Sequence, residues 1–291
     1  MLDQRVALGK PLGILHKIHQ IHHHHCQANA RAQDVKESVG EAPHPHLGMT
    51  LEGFHMQDAP RLLTPELAAR VRQDLADTGM ECAVLGCYLN LADPDPQRRA
   101  HTQEIYKAHL RAAPLIGARV VGTETYANPE SHFSDPAPRS EEAFRLFMDS
   151  LRPVVRYAEE VNAILAVEMV YHHIISTAER AQRMLEELPS DHLQIILDAV
   201  NLIGPGHDGE ADALTEDAIR RLGDRVRVLH MKDFTVRPNE IHSQACGTGV
   251  MRFEKLLTLA KKHDLPMTLE DTTPDYAQAA RLHLEQIAQT L

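Results

Sequence analysis

Four apolar runs in the second half of this 291-residue chain each stop at a side chain that can ligate a metal: Ile-Leu-Ala-Val-Glu168, Ile-Ile-Leu-Asp198, Val-Arg-Val-Leu-His230 and Met-Thr-Leu-Glu270. Three carboxylates and one imidazole suit a single borderline-hard divalent ion, with Mn²⁺ the first choice and Mg²⁺, Co²⁺ or Zn²⁺ as alternatives. No cysteine joins the set, which argues against a structural zinc site. A charge at the end of a buried strand is unfavourable by several kcal/mol unless it is paired or metal-bound. One such residue alone reads as a helix cap or an ion-pair partner. Four with the same placement read as a site.

The elements that must position them follow from texture. The four residues are separated by about one strand-helix unit each, ~30 residues or more. Side chains alternate along a strand, so residues at the ends of successive parallel strands can converge on one point, and barrel active sites sit at that face. From about residue 48, short apolar runs at 50–56, 81–89, 119–125, 164–170, 193–200, 226–233 and 267–271 read as strands. Between them, Pro65–Thr78, Pro96–Ile116, 140–161, 176–188, 210–222 and 252–263 read as helices. Thr64 is a fitting N-cap for the first of these, with Pro65 in its first turn and Gly79 at its stop. Ser140-Glu-Glu-Ala and Ser176-Thr-Ala-Glu179 have N-cap character. An eighth strand, first in order, is expected within residues 1–20, at 5–8 or 12–18. His16, His19 and His22 to His25 crowd that region, and 26–47 show little apolar periodicity. The expected fold is α/β, a (β/α)8 TIM barrel with an irregular first unit: a His-rich segment over 1–47, then the barrel over 48–291. An open doubly wound sheet is disfavoured because no Gly-rich turn follows a strand. The His22–His25 run reads as local irregularity rather than a site.

Composition narrows the partners. A formal net charge of -11 does not attract phosphate backbones, so nucleic acid is not an expected partner. Cys26, Cys82, Cys87 and Cys246 form no CxxC pair, which suggests a reduced, cytoplasmic setting. No apolar run approaches the ~20 residues needed to span a bilayer, and the N-terminus lacks the basic-then-apolar order of a secretory signal. A homo-oligomer is compatible with these features.

The segments Leu-Gly-Cys-Tyr-Leu-Asn90, Val-Gly-Thr-Glu-Thr125, Val-Glu168, Ile-Ser-Thr-Ala-Glu-Arg180, Leu-Asp198-Ala-Val-Asn201-Leu, Leu-His230-Met-Lys-Asp233-Phe, Gly-Thr-Gly249 and Leu-Glu270-Asp271-Thr resemble the xylose isomerase-like sugar phosphate isomerase/epimerase family. The likeness covers roughly residues 64–275. It implies a TIM barrel with one metal held by Glu, Asp, His and Glu, which match Glu168, Asp198, His230 and Glu270. It also implies acid and base roles for Glu168 and Glu270, by analogy with the family's ketose epimerases. The expected reaction is isomerisation or epimerisation of a small sugar through an enediolate, within carbohydrate metabolism. The chain departs from the pattern in residues 1–47, where the first strand and helix are not recognisable. It carries Asp198-Ala-Val-Asn201 where many relatives have Asp-Pro-Val-Asn, and Ile174 where ketose epimerases carry a further glutamate. Sugar identity is therefore open.

Further residues are candidates for substrate binding. Lys232 shares strand parity with His230, so it faces the mouth and could hold a hydroxyl or phosphate; pairing with Asp233 is the alternative. Glu124 ends a strand and reaches substrate or caps a helix. Asn201 orients Asp198 or binds a sugar hydroxyl. His55 ends the 50–56 strand. His172 and His173 follow Glu168 closely, and Gly247 and Gly249 shape the loop after the seventh strand. Two other readings share the ligand set: a metal-dependent dehydratase of a keto-inositol or keto-sugar, and a non-catalytic barrel with an impaired N-terminal unit. An apurinic endonuclease on the same barrel is opposed by the acidic balance.

Overall fold

Strand residues alternate between two apolar environments, and that alternation builds the architecture. The computed structural model describes residues 18–20, 56–125, 137–238 and 240–291. Seven parallel strands form one sheet: β1 (Ile18–Gln20), β2 (Val84–Gly86), β3 (Val120–Thr123), β4 (Leu165–Glu168), β5 (Leu193–Asp198), β6 (Val226–Met231) and β9 (Met267–Leu269). Their order is β1-β9-β6-β5-β4-β3-β2, so the N-terminal strand lies against the last one and the sheet curls into a TIM barrel. A separate antiparallel hairpin, β7 (Asp233–Arg237) and β8 (Glu240–Gln244), follows β6 directly.

On one face of the strands, Val121, Leu165, Val167, Ile195, Leu197, Leu229, Met267 and Leu269 join the large core under the helices. On the other face, Val120, Ala166, Ile196 and Val228, with Val84 and Ile164 against them, make a small separate cluster inside the barrel. The β-branched and aliphatic character of both faces is what a strand buried on two sides requires. Continuing the inward parity to the strand ends reaches Glu168, Asp198 and His230.

The outer layer comprises α1 (Pro65–Thr78), α2 (Pro96–Ile116), α3 (Glu141–Glu160), α4 (Ala178–Glu187), α5 (Ala211–Leu222), α6 (Glu254–His263) and α7 (Pro274–Ala288). Thr64 caps α1 by accepting from the Leu67 N–H at 3.2 Å, and Gly79 ends it at φ 67°. Ser140 caps α3. The cap of α4 is Thr177, which accepts from the Arg180 N–H, one residue later than the Ser176 motif suggested; Ser176 is buried instead. None of the described helices is long and apolar enough to cross a membrane.

The remaining sequence expectations fare differently. The first strand is Ile18–Gln20, overlapping the 12–18 window by one residue, while 5–8 falls outside the described residues. The 50–56 strand also lies outside them, with His55, except that Met56 opens the 3-10 turn Met56–Asp58. The segment after Asp233 is a hairpin, and 274–288 is a helix; neither was anticipated.

Candidate metal centre

The ends of β4, β5 and β6 and the residue after β9 supply Glu168, Asp198, His230 and Glu270. One ligand atom from each lies within 4.8 Å of all the others, and the four residues are buried. Register produces this convergence: Asp198 pairs with His230, and Glu168 sits beside Ile196 on the same neighbouring strand. The Glu270 N–H donates to the Met231 carbonyl at 3.0 Å, which carries β9 one step past its last strand residue to the same level.

The imidazole stands between two acids. His230 Nδ1 is 2.8 Å from Glu270 Oε1 and 3.1 Å from Glu168 Oε2. The other oxygen of each glutamate is tethered elsewhere. Asn201 Nδ2 donates to Glu168 Oε1 at 2.6 Å, and Lys232 Nζ donates to Glu270 Oε2 at 3.1 Å. Lys232 also lies 3.0 Å from Asp198 Oδ2 and 3.7 Å from Asp271 Oδ2. Asp198 Oδ1 accepts from the N–H groups of Val200 at 2.9 Å and Asn201 at 3.1 Å, which begin a single helical turn.

The electrostatics follow from crowding acids in a dry place. Burial pushes the Asp198 carboxyl up to about 7, with Glu270 and Glu168 adding to the rise and Lys232 and His230 opposing it. For His230 and Lys232, burial acts downward but the surrounding carboxylates win, and both groups are held well above their ordinary values. The donor set fits a divalent ion. A spread of at most 4.8 Å matches what metal–ligand bonds of ~2.0–2.6 Å allow across a coordination sphere. With the imidazole deprotonated, as metal ligation requires, three carboxylates and one lysine carry a net charge of -2, which one dication would cancel.

The remaining expected residues divide. Asn201 orients Glu168 through its side chain and Asp198 through its backbone. Lys232 faces the mouth as its parity indicated, but its partners are Asp198, Glu270 and Asp271 rather than Asp233. Glu124 follows β3 by one residue, and its Oε2 is 3.5 Å from Nδ1 of the buried His173. His172 lies edge-on to the Tyr171 ring.

Asp233 has another role, which the sequence did not signal. Its Oδ1 accepts from the N–H groups of Phe234 and Met251, both at 2.8 Å. Its Oδ2 accepts from Gly247 at 3.0 Å and Gly249 at 2.8 Å. Four backbone donors surround this one buried carboxylate, and the three from Gly247, Gly249 and Met251 pin the 247–251 loop onto the hairpin. Gly247 sits at φ 85°, and a side chain at Gly249 would run into the Phe234 carbonyl and Asp233 itself. Asp271, at φ 47°, ties the end of β9 to the hairpin by accepting from the Ser243 hydroxyl.

Comparison with known proteins agrees with this architecture. A D-psicose 3-epimerase from Enterocloster bolteae is 26% identical over 145 residues, which is 49% of this chain and 46% of that protein, so the match spans about half of each. The crystal structure of a 3-keto-D-glucoside 4-epimerase from E. coli superposes with a TM-score of 0.61 at 23% identity, covering 80% of this chain and 87% of that one. A D-tagatose 3-epimerase-like protein superposes with a TM-score of 0.63 at 17% identity, covering 79% and 85%. With a family match running over residues 58–288, the chain belongs to the xylose isomerase-like TIM barrel family.

Proposed function

We propose that the chain is a sugar isomerase or epimerase that holds one divalent ion through Glu168, Asp198, His230 and Glu270 and moves a proton through an enediolate. The observation that carries this reading is the convergence of those four side chains to within 4.8 Å at the mouth of a barrel of this family. When bound, the ion supplies Lewis-acid stabilisation of negative charge developing on a carbonyl oxygen.

The rest of the chemistry belongs to the protein. Glu168 and Glu270 come from β4 and from the end of β9, on either side of β5 and β6, each with one oxygen tethered and the other within 3.1 Å of His230 Nδ1. One carboxylate removes the proton alpha to the carbonyl. The other returns a proton to the opposite face, giving an epimer, or to the neighbouring carbon, giving an isomer. Asn201 and Lys232 fix which oxygen of each glutamate faces the sugar. Burial of the set excludes water from the enediolate.

The test is a screen of ketoses, aldoses and inososes with Mn²⁺, Mg²⁺ and Co²⁺, read by product mass. Mass-neutral conversion supports the reading. Loss of water would establish a dehydratase instead, and a chain indifferent to metal and chelator would be a non-catalytic barrel. Glu168→Gln and Glu270→Gln should each lower turnover by at least ~100-fold with the fold intact, since positioned acid-base groups contribute about that much or more. Residual activity within about tenfold of the parent would overturn the acid-base roles.

A further inference from the structure

Strand parity places more than the metal-ligating residues at the mouth. Inside the barrel, Val84 and Gly86 on β2 face inward beside Val120 and Gly122 on β3 and Ala166 on β4; Gly86 is in register with Gly122, and Gly122 with Ala166. Two residues further along the same inward rows stand Tyr88, Glu124 and Glu168. Tyr88 therefore belongs to the same level as the four candidate ligands.

The glycines make room for it. A β-carbon at Gly86 would lie 2.5 Å from Cε2 of the Tyr88 ring, and one at Gly122 would lie 3.7 Å from the Tyr88 hydroxyl. The ring thus folds inward over β2 and carries its hydroxyl across to β3, toward the barrel axis. It is half-buried there. Burial raises its phenol above the ordinary tyrosine range, which already lies far above neutral pH, so it keeps its proton and remains a donor.

We infer that Tyr88 is a substrate-binding residue of this site, its hydroxyl donating a hydrogen bond to a hydroxyl of the sugar held over Glu168 and Glu270. The inference rests on the function proposed above and adds to it a contact from the opposite wall. A polyhydroxylated ligand needs donors as well as acceptors. Glu124, Glu168, Asp198 and Glu270 at this level are acceptors when ionised, and Lys232 is engaged by carboxylates. A neutral phenol supplies the complementary donor without adding charge to a site that one dication would balance.

The experiment compares the Mn²⁺-loaded parent with Tyr88→Phe, using D-fructose, D-psicose and the monodeoxy-D-fructose series as probes. Binding is read by calorimetry and, where conversion occurs, by KM and kcat. Loss of one neutral hydrogen bond, about 0.5–1.5 kcal/mol, should raise Kd or KM by ~2- to 13-fold. Mn²⁺ affinity and Tm should not change. The penalty should vanish on the one deoxy sugar that lacks the contacted hydroxyl, which a packing role for the ring would not produce. Equal sugar affinity in parent and variant, or a penalty uniform across the deoxy series, overturns the role of Tyr88 and leaves the proposed function standing. A parent that binds Mn²⁺ but neither binds nor converts any ketose, aldose or inosose of the screen described above overturns both.

Discussion

Replacing Lys232 with methionine separates a counter-charge from a substrate ligand. The ammonium is 3% exposed and sits 3.0 Å from Asp198 and 3.1 Å from Glu270, both buried. Methionine keeps most of the length and apolar volume and removes the charge. In chelated protein, the two carboxylates lose their cation, and breaking a buried ion pair from one side costs ~3–5 kcal/mol. At ~2–4 °C per kcal/mol for a chain of this size class, Lys232→Met should lower Tm by roughly 6–20 °C. Divalent metal supplies the missing positive charge, and an ion present at about a thousand times its Kd adds ~4 kcal/mol to the folded state. Saturating Mn²⁺ should therefore close most of the gap, so the metal-induced rise in Tm is larger in the variant than in the parent. Differential scanning calorimetry with EDTA and with Mn²⁺ reads both numbers. A chelated variant melting within about 2 °C of the chelated parent, or an equal metal-induced shift in the two, would refute the counter-charge argument.

Two further outcomes test the scaffold around the site. Asp233→Asn turns an acceptor oxygen into a donor facing two backbone N–H groups; losing two charge-assisted hydrogen bonds at ~1.5–3 kcal/mol each should cost at least ~3 kcal/mol, and denaturant unfolding showing less than ~1 kcal/mol would contradict the assignment. His109, buried in α2 with Nδ1 2.8 Å from the Ile105 carbonyl, is held below the ordinary histidine range by burial, so it folds neutral. The unfolded chain binds the proton more readily, and the stability that His109 contributes is complete above pH ~6.5 and lost as pH falls below it. His109→Gln should flatten the fall of Tm between pH 7 and 5; an unchanged slope would remove His109 as the cause.

The convergence of Glu168, Asp198, His230 and Glu270 was legible because each terminates an apolar run, and the parity that hides the preceding residues in the barrel also turns the last one to its axis. Helices Pro65–Thr78 and Pro96–Ile116 were legible to the residue, the first because Thr64, Pro65 and Gly79 mark its ends; the structure adds Asp95 as the cap of the second. For Lys232, strand parity indicated the mouth, with pairing to Asp233 as the alternative, and neither named the carboxylates it touches. Its neighbour Asp233 is adjacent in sequence but faces the other way, while its true partners lie 34 and 38 positions distant, at Asp198 and Glu270. The β7–β8 hairpin was not visible because 233–244 carries charged and polar residues on both faces, and its pairing is anchored by Asp233 from outside the turn. Tyr88 was missed because its meaning lies in Gly86 and Gly122, whose lack of side chains only becomes a cavity once β2 and β3 stand side by side.

Lys232 and Asp233 are consecutive, yet one is gripped by the ligand carboxylates and the other grips the 247–251 loop. A peptide bond joins them, so the two grips form a short lever with its fulcrum at the end of β6. An insertion in the loop, or a bulkier residue at Gly249, cannot be absorbed at the rim alone; it is transmitted through one backbone step to the ammonium that Asp198 and Glu270 share. The identity of residue 249 is thereby coupled to the pocket as well as to the rim, because the backbone step that seats its loop also carries the shared ammonium.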